Sequence, residues 1–214
     1  MKKYLVLAFS IALFSCSKGD DSTPSPSTND IAYFRASLNG KAVDFTQSNY
    51  TNPVYSQNFT FSGCFLNGQD CVIDYGAFLM PYSTMAFVPS IGLSFDNLYN
   101  QSSQANESTT FYSLFTIIPT NFITSSQETN DVKGVDVQYG TIDNKTYSSL
   151  GGNQTGSSLT IISSTKGIEN GGTLKIQTII GTVNCKLYND DNPLDIIRLT
   201  NGQFKLIFRE KSTD

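Results

Sequence analysis

From residue 31 onward the apolar residues fall in short β-branched and aromatic runs, divided by Gly, Asn, Asp, Ser and Pro. No stretch there sustains helical spacing, so the pattern predicts an all-β domain. Three Asn-Gly dipeptides, at 39-40, 67-68 and 201-202, punctuate it. Asn-Gly suits a two-residue hairpin turn because both residues tolerate positive φ. Around the first, pairing Leu38 with Lys41 sets Ala36 opposite Val43 and Phe34 opposite Phe45. Arg35 then meets Asp44 on the other face, so apolar meets apolar and opposite charges meet. Around the last, pairing Thr200 with Gln203 sets Leu199 opposite Phe204 and Ile197 opposite Leu206. This predicts a hairpin over 195–209. Phe34, Phe45, Leu199, Phe204 and Leu206 are the expected core.

The middle dipeptide allows two registers. A two-residue loop sets Cys64 opposite Cys71 but also Phe61 opposite Asp74. A three-residue loop gathers Phe59, Phe61, Phe65, Cys71, Ile73 and Tyr75 on one face, and the hydrophobic pattern favours it. Further strands are predicted over 85–88, 90–95, 109–118, 132–139, 157–163 and 173–188. In the last of these the apolar parity flips at Gly181-Thr182, which predicts a bulge there. The polar segments 97–108 and 148–156 read as exposed loops.

The chain begins differently. Lys2 and Lys3 precede an apolar stretch, Tyr4 to Phe14, broken only by Ser10. Eleven residues suit a signal-peptide core and fall short of a membrane-spanning helix. Leu13 and the small Ser15 lead to Cys16. Residues 1–15 therefore read as a lipoprotein signal peptide, with Cys16 as the lipid-bearing residue and the membrane as its partner. Several acyl chains make such an anchor stable, where one gives only marginal binding. Residues 16–30 hold no apolar residue large enough for a core and read as a flexible tether. Residues 31–214 remain for a single domain, a common size for one all-β unit.

Composition narrows the chemistry. Without the signal peptide the chain has 12 basic and 18 acidic residues. Such an acidic protein with scattered lysines is a poor nucleic-acid binder. There is no histidine, which excludes Ser-His-Asp and Cys-His catalysis and histidine metal sites. There is no tryptophan either, which counts mildly against a high-affinity glycan platform. Beyond Cys16 three cysteines remain. Cell-surface compartments permit disulfides, with Cys64–Cys71 the local choice and Cys71–Cys185 the other. Cys185 alternates with Val183 and Leu187 and reads as a small core residue. The cluster Asn189-Asp190-Asp191-Asn192-Pro193-Leu194-Asp195 lacks the spacing of a calcium loop and reads as a polar turn. Carboxylate pairs able to run glycoside hydrolysis would be Asp70 with Asp74, Asp131 with Asp136, or Glu107 with Glu128. No motif surrounds any of them, so no catalytic residue, cofactor or metal is expected, and the protein is not expected to be an enzyme.

Resemblance adds an address. Lys18-Gly19-Asp20-Asp21 resembles the acidic surface-export signal of lipoproteins in Bacteroidota-type bacteria, although Gly19 interrupts its tightest form. The resemblance implies the outer leaflet of the outer membrane, facing the cell exterior. Asp21-Ser22-Thr23 also resembles the O-glycosylation sequon of that group, but in a Ser/Thr-rich tether it reads better as plain linker. The segments Gly134 to Tyr139, Tyr147 to Ser149, Gly156 to Ile161, Gly181 to Val183 and Leu199 to Phe204 resemble those of small β-rich surface lipoproteins of the same bacteria. That resemblance implies a β-sandwich and carries no activity.

The expected architecture is an antiparallel β-sandwich, with an up-and-down or jelly-roll-like barrel as the alternative. The expected role is a non-catalytic binding module for a glycan, peptide or surface protein. The other role is a structural or accessory subunit of an envelope assembly. Loops carry binding sites where packing constrains sequence least. Tyr99, Tyr112 and Tyr147, on or near the two polar segments, are the candidate ligand-facing residues. The competing reading of these tyrosines is that they cap the core edge.

Overall fold

The computed structural model describes residues 30–48, 54–64, 70–81, 88–100, 107–115, 121–123, 132–172 and 174–210. Residues 1–29, which hold the expected signal peptide and most of the expected tether, with Cys16, Lys18, Asp20 and Asp21, lie outside these residues. So do the Asn67-Gly68 turn and residues 85–87 of one predicted strand. Asp30, the last residue of the expected tether, is instead the buried first residue of the opening strand.

The domain is all-β and antiparallel, as the residue pattern predicts. Its strands are β1 (Asp30–Leu38), β2 (Lys41–Ser48), β3 (Val54–Cys64), β4 (Asp70–Pro81) and β5 (Ser90–Asn100). After a short helix α1 (Glu107–Leu114) come β6 (Val132–Gly140), β7 (Thr146–Ser148), β8 (Ser158–Glu169), β9 (Leu174–Asn189) and β10 (Ile196–Arg209). They form one sheet in the order β2-β1-β10-β9-β7-β6-β5-β4-β3, with β8 added on β9. The sheet curls into a nearly closed barrel. This is the barrel-like alternative rather than two stacked sheets. The two ends of the path approach each other, and Asn58 ties β3 to β10. Its Nδ2 donates to the Ile207 carbonyl (2.9 Å) and its Oδ1 accepts from Arg209 Nη1 (2.7 Å).

The first hairpin forms in the expected register, with Leu38 opposite Lys41, Ala36 opposite Val43 and Phe34 opposite Phe45. Asn39 and Gly40 both take positive φ, as a tight hairpin turn requires. Arg35 meets Asp44, Nε to Oδ2 at 3.2 Å. The five expected core residues are all buried.

Asn201-Gly202 makes no hairpin. β10 runs straight through it, and the register against both neighbours shifts there: Leu199 and Gly202 follow each other against β9, and Ser37 and Arg35 against β10. Asn201 still takes positive φ, but as the extra residue of a bulge. The bulge does what the hairpin was meant to do. It brings Leu199 and Phe204, of opposite parity, to the same core face.

The bulge predicted in β9 is also displaced. β9 alternates without interruption, with Gln177, Ile179, Gly181, Val183, Cys185 and Leu187 turned inward. The extra residue is Ile162 in the partner β8, which leaves Ile161 opposite Gly181 and Ser163 opposite Ile180. Gly181 serves by being small. A Cβ there would lie 2.6 Å from the Phe204 ring and 2.5 Å from the Thr160 carbonyl.

Between β3 and β4 the pattern-favoured register is not the one formed. Cys64 pairs with Cys71 and Phe61 with Asp74. Hydrophobic alternation misleads here because this part of the sheet has a second covered face. Phe59 stacks on Phe78 (5.4 Å between ring centres) and lies where a side chain on Gly76 would stand.

The predicted strand over 109–118 is instead α1, within the residues described. Helical spacing places Phe111 and Leu114 on one side, and Phe115 follows. All three are buried against Tyr75, Phe95 and Phe208. The same three residues on a strand would not share a face. α1 also anchors the β8 edge, with Tyr112 Oη donating to the Gly167 carbonyl (3.1 Å) and Ser164 Oγ to the Phe115 carbonyl (3.3 Å). Among the described residues no helix is long and apolar enough to cross a membrane.

Candidate functional site

The face of β4, β5 and β6 opposite the core carries the densest unusual chemistry. Ile73, Tyr75, Leu93, Phe95, Val135 and Val137 point to the core, so Asp74, Ser94, Asp96 and Asp136 point the other way. Register then sets Asp74 directly opposite Asp96, and Ser94 opposite Asp136. All three aspartates are largely covered; Asp96 is 7% exposed and Asp136 fully buried.

Asp136 is well satisfied. Ser149, in the 3-10 turn 149–151, donates its amide (3.0 Å) and its hydroxyl (2.7 Å) to Asp136 Oδ1, and Gln138 Nε2 donates to Oδ2 (2.7 Å). Burial still pushes this carboxyl above the ordinary range, against the donors. Asp74 and Asp96 differ. They bond to one another and to the Ser94 hydroxyl, yet among the described residues the Oδ1 of each has no donor. Burial pushes Asp74 up to about 6 and Asp96 well above its usual value; in Asp96 the neighbouring Asp74 charge adds to the effect.

Nearness along the chain does not pick out this trio, because its members lie on three different strands. Asp74 and Asp136 appear in two of the candidate carboxylate pairs, but with other partners. Asp131 and Glu128 lie outside the described residues, Asp70 begins β4 opposite Asn100, and Glu107 begins α1. One signal was present: no lysine or arginine occurs between Lys41 and Lys133, a span holding Asp44, Asp70, Asp74, Asp96, Glu107, Glu128 and Asp131.

The three candidate tyrosines are not brought together. Tyr147, on β7, is buried, and its hydroxyl donates to Asp195 Oδ2 (2.8 Å). It caps the core edge and offers no free face to a ligand. Tyr112 is half-buried on α1, with Lys166 Nζ 4.7 Å above its ring. Tyr99 sits on β5 opposite Cys71; its side chain lies outside what is described. The segment 97–108 is thus strand to Asn100 and helix from Glu107. The segment 148–156 is strapped to β9 by Gln154, which donates to the Lys186 carbonyl (2.7 Å) and accepts from its amide (3.2 Å).

Cys64 and Cys71 stand opposite each other in the ladder, and their side chains are outside what is described. Cys185 is a free, buried thiol, so it forms no bridge to Cys71. Burial pushes its titration far up, and the Asp136 charge adds to this. Such a thiol is inert.

The acidic loop is a closed polar turn. Asn189 N donates to the Asp195 carbonyl and Asp195 N to the Asn192 carbonyl. Bonds from Tyr147 and Asn189 hold the Asp195 carboxyl below the ordinary range. Among the described residues no group of acidic or cysteine side chains is arranged to hold a metal ion.

No protein-family model, curated protein or solved structure matches this chain.

Proposed function

We propose that this chain is a lipoprotein of the outer membrane, held by lipid on Cys16 and facing the cell exterior, where it acts as a non-catalytic binding module. The observation that carries the reading is Cys16 itself, directly after a short apolar segment with Lys2 and Lys3 in front. Asp20 and Asp21 supply the outward address.

The fold suits a binder that meets its partner at the surface. The middle of the barrel is filled by side chains, Phe34 against Phe204 and Phe95 against Phe115 and Phe208. The tether joins at Asp30, and β1 runs from there to Leu38. β10 is antiparallel to it, with Leu38 beside Leu199. The turn before Ile196 therefore lies at the end remote from the anchor. There Leu194 is 90% exposed, and the neighbouring turn presents Ile142 at 66%. Asp190 N binds the Thr146 carbonyl (3.0 Å) and joins the two turns. Aliphatic side chains held in water at a loop tip suit a protein or peptide partner better than a glycan. The same tip also fits the second role, an accessory subunit docked on an envelope assembly.

Cys16→Ala is expected to leave the chain unlipidated and move it from the membrane fraction to the soluble fraction. Retention of the variant in membranes would defeat the anchor. A second variant, Ile142→Asp with Leu194→Asp, should melt like the wild type, because both residues are exposed. It should lose the partners that the wild type captures by cross-linking on intact cells. Equal capture by the two proteins would remove the tip as the binding site. No capture by the wild type, on cells or on a glycan array, would remove the binding module.

A further inference from the structure

The Asp74–Asp96 pair poses a charge problem that no positive side chain among the described residues solves. The two residues are directly opposite across β4 and β5, and like charges so placed repel. A buried carboxylate without compensation is costly enough that such groups neutralise instead. β3 sets Phe61 opposite Asp74. β5 adds Ser94, whose hydroxyl bonds to the pair. β6 adds Asp136 and Gln138, which bond to each other, and at its start Lys133 opposite Asn97. Lys133 makes no ion pair with any of the three aspartates. The 149–151 turn contributes Ser149, spent on Asp136, and β9 contributes the neutral thiol of Cys185. Among the described residues Asp74 Oδ1 and Asp96 Oδ1 remain without a donor, the latter on a side chain more than nine-tenths buried. A metal is not accommodated by this arrangement. A proton is: it turns one carboxyl into a donor and removes the repulsion in the same step.

We propose that Asp74 and Asp96 form a proton-binding pair, with a shared proton locking the β4–β5–β6 face and its loss at rising pH loosening that face. The direction follows from linkage. Both carboxyls bind protons more tightly when folded: Asp74 is pushed up to about 6, and burial with the neighbouring Asp74 charge raises Asp96 well above its ordinary value. Their stabilisation is therefore complete below the unfolded carboxyl range near about 4 and is lost as pH rises through the folded values. Each excess proton lowers the folding equilibrium constant about tenfold per pH unit within that window. The domain is thus tightened by acid.

The test is denaturation of the purified full chain from pH 4 to 8, with carboxyl carbon NMR of Asp74 and Asp96. The wild type should weaken as pH rises, and both carboxyls should titrate above the ordinary carboxyl range. Asp96→Asn replaces the protonated acid by a permanent donor. It should flatten the profile and outlast the wild type at pH 8. Asp136→Asn should leave the Asp74 and Asp96 titrations above that range. If both carboxyls titrate near 4, or if Asp96→Asn keeps the wild-type slope, the proposal fails. Should Asp96→Asn not fold, Asp74→Asn and the wild-type NMR titration decide it on the same terms.

Discussion

Arg35→Ala is expected to destabilise the domain by about 3–5 kcal/mol, the usual cost of breaking a buried ion pair from one side. Arg35 lies on β1 with its guanidinium almost fully covered. Nη2 reaches Asp30 Oδ2 (2.9 Å) and Thr46 Oγ1 (2.9 Å), Nε reaches Asp44 Oδ2 (3.2 Å), and the group stands 4.8 Å from the Tyr33 ring centre. Asp30 is as deeply covered as Arg35, so truncation takes the guanidinium away from a carboxylate that water does not reach. The Asp44 arm contributes less, since that side chain is 40% exposed and solvent screens it. Arg35→Lys should fall between the two. It keeps the charge but gives up the planar fork that serves three acceptors at once. Urea denaturation at neutral pH checks both. A loss below about 1 kcal/mol for Arg35→Ala would place the network among ordinary surface ion pairs.

Phe204→Ala should cost a similar amount, about 3–5 kcal/mol, for a different reason. Phe204 is fully buried, stacks on Phe34 with ring centres 6.0 Å apart, and fills the space left by Gly181. The surrounding backbone is fixed on both sides by β1 and β9, so the site cannot collapse into the vacated volume. For a domain of this size the loss corresponds to a fall in melting temperature of roughly 6–20 °C. A variant that melts with the wild type would mean that Phe204 is not the inward residue of β10.

These two sites show how far residue pattern carries. The Arg35–Asp44 pairing follows from the first hairpin, because Asn39-Gly40 selects a two-residue turn and the turn fixes every later pair. Asp30 as the stronger, buried partner does not follow. It lies beyond the predicted hairpin pairs, and its burial depends on how the sheet curls. Phe204 as a core residue is also legible, from alternation alone. Its partner Phe34 is not, since β10 adds to β1 only after the chain has passed through eight other strands.

Asn201-Gly202 marks the boundary most clearly. It is the same dipeptide as Asn39-Gly40, and in both the Asn takes positive φ. At 39-40 the following residues have no other strand to join and fold back on β1. At 201-202 they lie between β1 and β9, whose ladders satisfy their backbone groups, so the chain goes straight and the left-handed residue becomes a bulge. α1 is a similar case: β-branched and aromatic residues favour a strand locally, but the end of the barrel needs Phe111, Leu114 and Phe115 on one side.

Residue spacing alone is enough to reach the all-β class, the first hairpin's register, the inward residues of β1 and β10, and the burial of Cys185. Each depends on spacing of two along a strand or on the φ allowed to one residue, and both are local. Long-range packing sets the single barrel-like sheet, the helix at 107–114, the burial of Tyr147 and the meeting of Asp74 with Asp96. These depend on which strands become neighbours. That choice is set by the packing of distant faces and the satisfaction of backbone groups across the whole sheet, and no short stretch of chain encodes it.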